Sequence, residues 1–198
     1  MGYNIIINGF HGTCKESADA ICEKKTYTYT RREDHWLGQG IYFFREDSDQ
    51  AMSWALNQTQ VGSTACVLST NINVESTSFL NLNTRDGIYK LKKMLETIDT
   101  QFEIDSKMDV DDHNHRYRCF IMDLLPYSIK AIQKNFTLRR QPKAILGNPT
   151  MKKMDVNMQS VQVCVRDASI IDVDSIKIYQ VKEKPGGGKK RRRKFNFK

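Results

Sequence analysis

Trp36-Leu37-Gly38-Gln39-Gly40-Ile41-Tyr42-Phe43-Phe44 is the stretch that decides how this 198-residue chain is read. Two glycines two positions apart, followed by four bulky apolar residues, predict a tight loop feeding a buried strand. Downstream, Ser48 is placed to cap a helix whose buried stripe is Ala51, Met52, Trp54 and Ala55. Upstream, Thr26 to His35 reads as a polar loop, preceded by a short helix from about Ser17 to Lys25 with Ala18, Ile21 and Cys22 on one face. The β-branched run Ile5-Ile6-Ile7 marks a first strand over Tyr3–Asn8, which Gly9-Phe10-His11-Gly12-Thr13 then leaves.

Further along, Ala65–Thr70 reads as a strand, and Asn83 or Thr84 opens a helix with Ile88, Leu91, Leu95 and Ile98 at spacings of three and four. Another helix is expected from about Asn114 to Leu125, ahead of Pro126. Val161–Arg166 and Ile176–Val181 alternate as late strands. Helices early and in the middle, with strands at both ends, predict an α+β arrangement around a mostly antiparallel sheet.

Composition describes a folded body with an appended tail. Hydrophobic residues make up 39% and charged residues 27%, as in ordinary globular proteins. No apolar run approaches the roughly 20 residues that span a bilayer. Met1-Gly2-Tyr3-Asn4-Ile5-Ile6 lacks the basic start of a signal peptide, and Ile6 stands where N-myristoylation needs Ser or Thr. The five cysteines, Cys14, Cys22, Cys66, Cys119 and Cys164, form no CxxC pair; free core thiols in a reducing cytoplasm are expected. Eight of the 31 Lys and Arg fall in Lys184–Lys198, which has no acidic residue, so the other 23 match the 23 Asp and Glu of the body. The domain is therefore placed at 1–183 and the tail at 184–198.

Three segments carry a resemblance: Phe10-His11-Gly12-Thr13, then Trp36–Phe44 with Ala51 and Trp54-Ala55 after it, then Val161-Gln162-Val163-Cys164-Val165-Arg166. In that order they resemble the His-Tyr-Glu class of ADP-ribosyltransferases, related to poly-ADP-ribose polymerases and diphtheria toxin. The bacterial branch that includes toxin–antitoxin and phage-defence toxins is the most similar. The resemblance implies split antiparallel sheets forming an NAD cleft, with helices around them. It implies mono-ADP-ribosyl transfer from NAD, with no metal, and an antitoxin protein as a partner. Breaking the bond between nicotinamide and ribose passes through an oxocarbenium-like state, so the enzyme gains most by fixing the sugar and stabilising that charge. On the resemblance His11 bonds a ribose hydroxyl, Gly12 with Thr13 holds the nicotinamide side, Tyr42 stacks on the nicotinamide ring, and Gly38 and Gly40 shape the loop. Gln162 stands where the family carries glutamate; it can bond a hydroxyl but supplies no charge, which argues for single transfer and leaves room for another acid such as Asp112.

Alternation puts Gln162, Cys164 and Arg166 on one face of their strand and the three valines on the other. Trp36 and Trp54 are assigned to packing. Asp109, Asp111, Asp112, His113 and His115 invite a metal reading, but no strand aligns the two histidines, and a solvated loop is the better reading. Pro185-Gly186-Gly187-Gly188 is a flexible joint, and Lys189, Lys190, Arg191, Arg192, Arg193 and Lys194 suit phosphate backbones through counterion release, with Phe195 and Phe197 able to stack on bases. Nucleic acid, RNA or single-stranded DNA, is thus the expected acceptor, ahead of protein. Two other readings stand beside it: an NAD glycohydrolase using the same pocket, and a non-catalytic nucleic-acid-binding module.

Overall fold

The computed structural model describes residues 2–33, 35–102, 114–137, 148–154 and 158–185. In chain order the elements are β1 (Asn4–Cys14), α1 (Lys15–Lys24), β2 (Ile41–Arg45), α2 (Ser48–Gln58), β3 (Thr64–Glu75), β4 (Phe79–Asn81), α3 (Arg85–Phe102), α4 (Asn114–Asp123), β5 (Ala131–Thr137), α5 (Pro149–Lys153), β6 (Gln159–Val165) and β7 (Ile171–Glu183). The strands bond in the order β4-β5-β6-β2-β1-β3-β7. Only β4–β5 is parallel; the other neighbours are antiparallel. The chain is α+β, as its element order predicts.

The two separate sheets that were expected are instead one hydrogen-bonded order of seven strands. Its continuity rests on a short seam. Strand β1 pairs with β3 along its whole length, from Asn4↔Glu75 to Cys14↔Ala65. Against β2 it pairs only at Gly9↔Arg45 and Phe10↔Phe44. The Glu46 N–H donates to the Asn8 carbonyl at 3.0 Å and closes one end of that seam.

Beyond the seam β1 does not end where its glycines suggested. His11, Gly12 and Thr13 remain in the strand, paired with Leu68, Val67 and Cys66. Neither Gly9 nor Gly12 has a positive φ. A Cβ at Gly12 would run into the Ala51 carbonyl of α2, so this glycine admits a helix and does not turn the chain.

Side chains alternate between the two faces with period two. Ile7, Leu68, Ile41, Phe43, Val163 and Val165 join one cluster, to which every strand contributes and on which α1 packs through Ala18 and Ile21. On the opposite face Phe10, Phe44 and Val67 meet Ala51, Met52 and Ala55 of α2. Leu80, Ile132 and Cys164 on that same face meet Ile98 of α3 and Met122 of α4. Val163 and Val165 thus lie opposite Cys164, as the alternation predicts.

Local details depart from expectation in three places. The cap of α2 is Asp47, whose carboxylate accepts the Gln50 N–H at 2.9 Å; Ser48 is already helical. Trp54 is half exposed, so the buried stripe of α2 is its two alanines and Met52. Trp36 packs its edge on Phe136 with ring centroids 4.7 Å apart, and the Arg118 guanidinium lies 4.9 Å from its ring. In α3, whose first turn is closed by Thr84 Oγ1 accepting the Gly87 N–H at 3.1 Å, Ile98 is buried but Ile88 is exposed.

Candidate functional site

The seam brings His11 and Tyr42 together. Continuing the register of Gly9↔Arg45 and Phe10↔Phe44 would set Gly12 against Tyr42, with the Gly12 N–H aimed at the Tyr42 carbonyl. That rung is absent. The carbonyl oxygen of Tyr42 is instead 2.9 Å from His11 Nδ1. A carbonyl only accepts, so Nδ1 carries the proton. Burial holds the His11 pKa below its ordinary value, against the pull of this bond. The imidazole is therefore neutral, and Nε2 is left as an acceptor. The ring packs edge-on against Tyr27 at 5.3 Å and tilted against Phe43 at 5.7 Å. Tyr27, which the sequence hides in a polar loop, is buried.

Alternation along β1 then turns the Gly12 N–H and C=O toward the gap that the missing rung leaves. In an antiparallel strand even and odd residues bond opposite neighbours. The Asn8 carbonyl bonds β2, and Gly12 has the same parity. A strand edge offering one donor and one acceptor matches a carboxamide, which offers one of each.

The other end of Tyr42 holds the preceding loop. Its hydroxyl accepts the Leu37 N–H and donates to the Gly38 carbonyl, both at 2.8 Å. Burial raises its pKa far above the phenol range, so it stays protonated. His35 lies against the ring at 5.0 Å. The Cys164 thiol, its pKa pushed by burial up to about 12, donates to the same Gly38 carbonyl at 3.7 Å.

Gly38 and Gly40 have separate reasons to be glycine. Gly38 has φ +81°, and a Cβ there would stand 2.8 Å from Asp123 Oδ1. A Cβ at Gly40 would stand 2.5 Å from the Val165 carbonyl oxygen and 2.6 Å from Cys164 Sγ. Between them, the Gln39 N–H donates to Asp123 Oδ1 at 2.7 Å. Its side-chain amide donates to the Arg32 carbonyl and accepts the Arg32 N–H at 3.2 Å. Asp123 is in turn placed by Arg166, whose guanidinium donates to the carbonyls of Asp123, Leu125, Pro126 and Ile129 at the end of α4. Sequence reading missed Asp123, Gln39 and Tyr27. Gln39 and Asp123 are 84 positions apart with no periodicity linking them.

Gln162 is half-buried in β6, opposite Phe44 of β2 and Lys134 of β5. Among the described residues its side-chain amide has no hydrogen-bond partner. It alternates with Val163, so it shares the face of Tyr42 and lies across the sheet from the His11 ring. The structure thus joins His11 to Tyr42 but places Gln162 beside a lysine, on the other face. Thr13 continues β1 on the His11 face. The block Lys189–Lys194 and Asp112 lie outside the described residues, as do Asp109, Asp111 and His113.

Among the described residues no helix is long and apolar enough to cross a membrane. No family model and no solved structure matches the chain. An uncharacterized protein of Methanocaldococcus jannaschii is 42% identical over 45 residues, covering 23% of this chain. The aligned stretch spans about a fifth of that protein's length, 21%.

Proposed function

We propose that the protein transfers a single ADP-ribose unit from NAD to a nucleic-acid acceptor. One observation carries the reading: the β1–β2 ladder stops after two rungs, and the His11 ring takes the Tyr42 carbonyl in place of the Gly12 N–H. This supports the roles that the resemblance assigns. Neutral His11 accepts a ribose hydroxyl through Nε2, and the Gly12 backbone pairs with the carboxamide of nicotinamide. The geometry supports a changed part for Tyr42, whose hydroxyl is consumed by Leu37 and Gly38; it acts by fixing the loop and orienting His11.

In the reaction the bond from ribose C1′ to the nicotinamide nitrogen breaks, and its electron pair leaves with nicotinamide. The acceptor nucleophile bonds C1′ and releases its proton. Gln162 lies across the sheet from the His11 ring and beside Lys134, so in this reading it does not stabilise the cation. The charge balance of the sequence, neutral body and polycationic tail, favours a polyanionic acceptor. Toxicity to the host cell and neutralisation by an antitoxin follow from the same resemblance.

The test is incubation of the full chain with adenylate-labelled NAD and separate pools of RNA, DNA and protein. Label should enter a nucleic-acid pool and fall at least about 100-fold in His11→Ala, roughly 2.7 kcal/mol of barrier. Label in protein alone would move the acceptor class. Nicotinamide release with no label in any pool would make the enzyme a glycohydrolase. Neither product, from folded protein, would overturn the reading.

A further inference from the structure

A cavity of about 520 Å³ lies beside the seam, not in it: His11, Gly12, Tyr42 and Gln162 are all absent from its walls. It opens between the segment before β2 and helix α4, and its walls include Arg31, Arg32, Gln39, Arg116, Phe120 and Asp123. It is open to solvent on one side, and its volume falls within the range of small-molecule sites.

The chemistry of the lining is mixed in a way that selects among anions. Arg116 pairs with Glu33 at 3.2 Å and Arg31 with Asp123 at 3.7 Å, each cation well exposed. Such pairs hold little energy but they pre-orient the guanidiniums. Each guanidinium has five N–H donors, so pairing with one carboxylate leaves donors for a phosphate. Phe120 stands four residues after Arg116, on the same side of α4, and the residue is 53% exposed. An aromatic ring left in water among arginines is the platform on which unpaired bases stack. The two carboxylates disfavour a bare polyanion while accepting sugar hydroxyls or base N–H groups.

We propose that this cavity is a nucleotide-binding site, with phosphate on Arg31 and Arg116 and a base against Phe120. Resting on the transferase reading, the nucleotide is one unit of the acceptor strand, seated next to the seam. Asp123 and Gln39 connect the two places. The carboxylate that faces Arg31 also accepts the Gln39 N–H, and the neighbouring Gly38 carbonyl is held by Tyr42. An occupied cavity therefore steadies the loop that Tyr42 anchors.

The test measures binding of a short labelled single strand, as RNA and as DNA, to the full chain at physiological salt. NAD binding and nicotinamide release are read on the same samples. Phe120→Ala and Arg116→Glu change exposed side chains, and an unaltered unfolding midpoint certifies each variant; the basic tail is common to all samples. Each variant should weaken strand binding about tenfold and leave the KM for NAD unchanged. Weaker NAD binding with unchanged strand binding would keep the nucleotide site and assign it to the donor. Strand and NAD binding both unchanged in both variants would overturn the proposal. A wild-type chain that binds strand through Phe120 yet releases no nicotinamide would sink the transferase reading alone.

Discussion

Strand β1 has two edges, and the molecule treats them differently. Toward β3 all eleven residues pair, without a break, from Asn4 to Cys14. Toward β2 two residues pair, and the third rung is replaced by a ring nitrogen on a carbonyl. A complete ladder consumes every backbone donor and acceptor along it and leaves none for a ligand. An interrupted one leaves directional polar groups at fixed positions. Stability is drawn from one edge of the strand, and the candidate chemistry from the other.

The largest disturbance of this contrast should come from Phe43, which is fully buried beneath the His11 ring. Phe43→Ala should cost about 3–5 kcal/mol in urea unfolding, because it empties the core under both edges at once. Gly38→Ala comes next. Positive φ and collision with Asp123 and Met122 together should cost about 2–3 kcal/mol. Gly62 has nearly the same φ, +82°, but open space around it. Gly62→Ala should therefore cost only about 1 kcal/mol, the backbone share alone. Equal losses at the two glycines would show that the collision at Gly38 is relieved at no cost.

Tyr42→Phe leaves the Leu37 N–H and the Gly38 carbonyl without their hydroxyl and should cost about 1–2 kcal/mol in the same unfolding measurement. Its ring and its bond to His11 through the backbone remain, so a turnover loss would report the loop alone. The smallest effect is on pH dependence. The folded pKa of His11 lies below the unfolded value of 6.5, so below pH 6.5 the unfolded chain binds the extra proton. Stability should fall as pH drops from 6.5 toward the folded pKa and be flat, in this group's share, above 6.5. His11→Gln should remove that slope; an identical slope in both proteins would assign it to other groups.

Much of the fold was legible where burial follows a period. The stripe of α3 at Leu91, Leu95 and Ile98, the helix before Pro126 and the alternation of β6 were all readable, because each buries one face against a neighbour. Strand β5 was not. Its buried run Ala131-Ile132-Gln133 gives way at once to half-exposed residues, so no alternation develops. Gln133 is buried with Arg45 donating to its side-chain oxygen at 2.9 Å. The length of β1 was hidden because glycine signals a turn and a close approach with the same letter, and here Gly12 serves the approach. The candidate site was suggested only by residue types that resemble a known class. What binds His11 to Tyr42 is a rung that does not form, and no pattern in the sequence announces that. Asp123 and Tyr27 matter through contacts with residues distant in the chain, which spacing cannot show.

Strand β2 borrows its outer neighbour from far along the chain: Ile41 pairs with Val165. During synthesis the ribosome adds roughly 120 residues between them, about 6–25 s of elongation at typical rates. Strands β1 and β3 can meet much earlier in that interval. Ile41-Tyr42-Phe43-Phe44, apolar and uncharged, waits with an open edge, the kind of segment that recruits strands from other chains. A nascent chain thus carries this apolar tetrapeptide with its outer edge uncovered until β6 is made, and the sheet that runs through the seam stays incomplete until that moment.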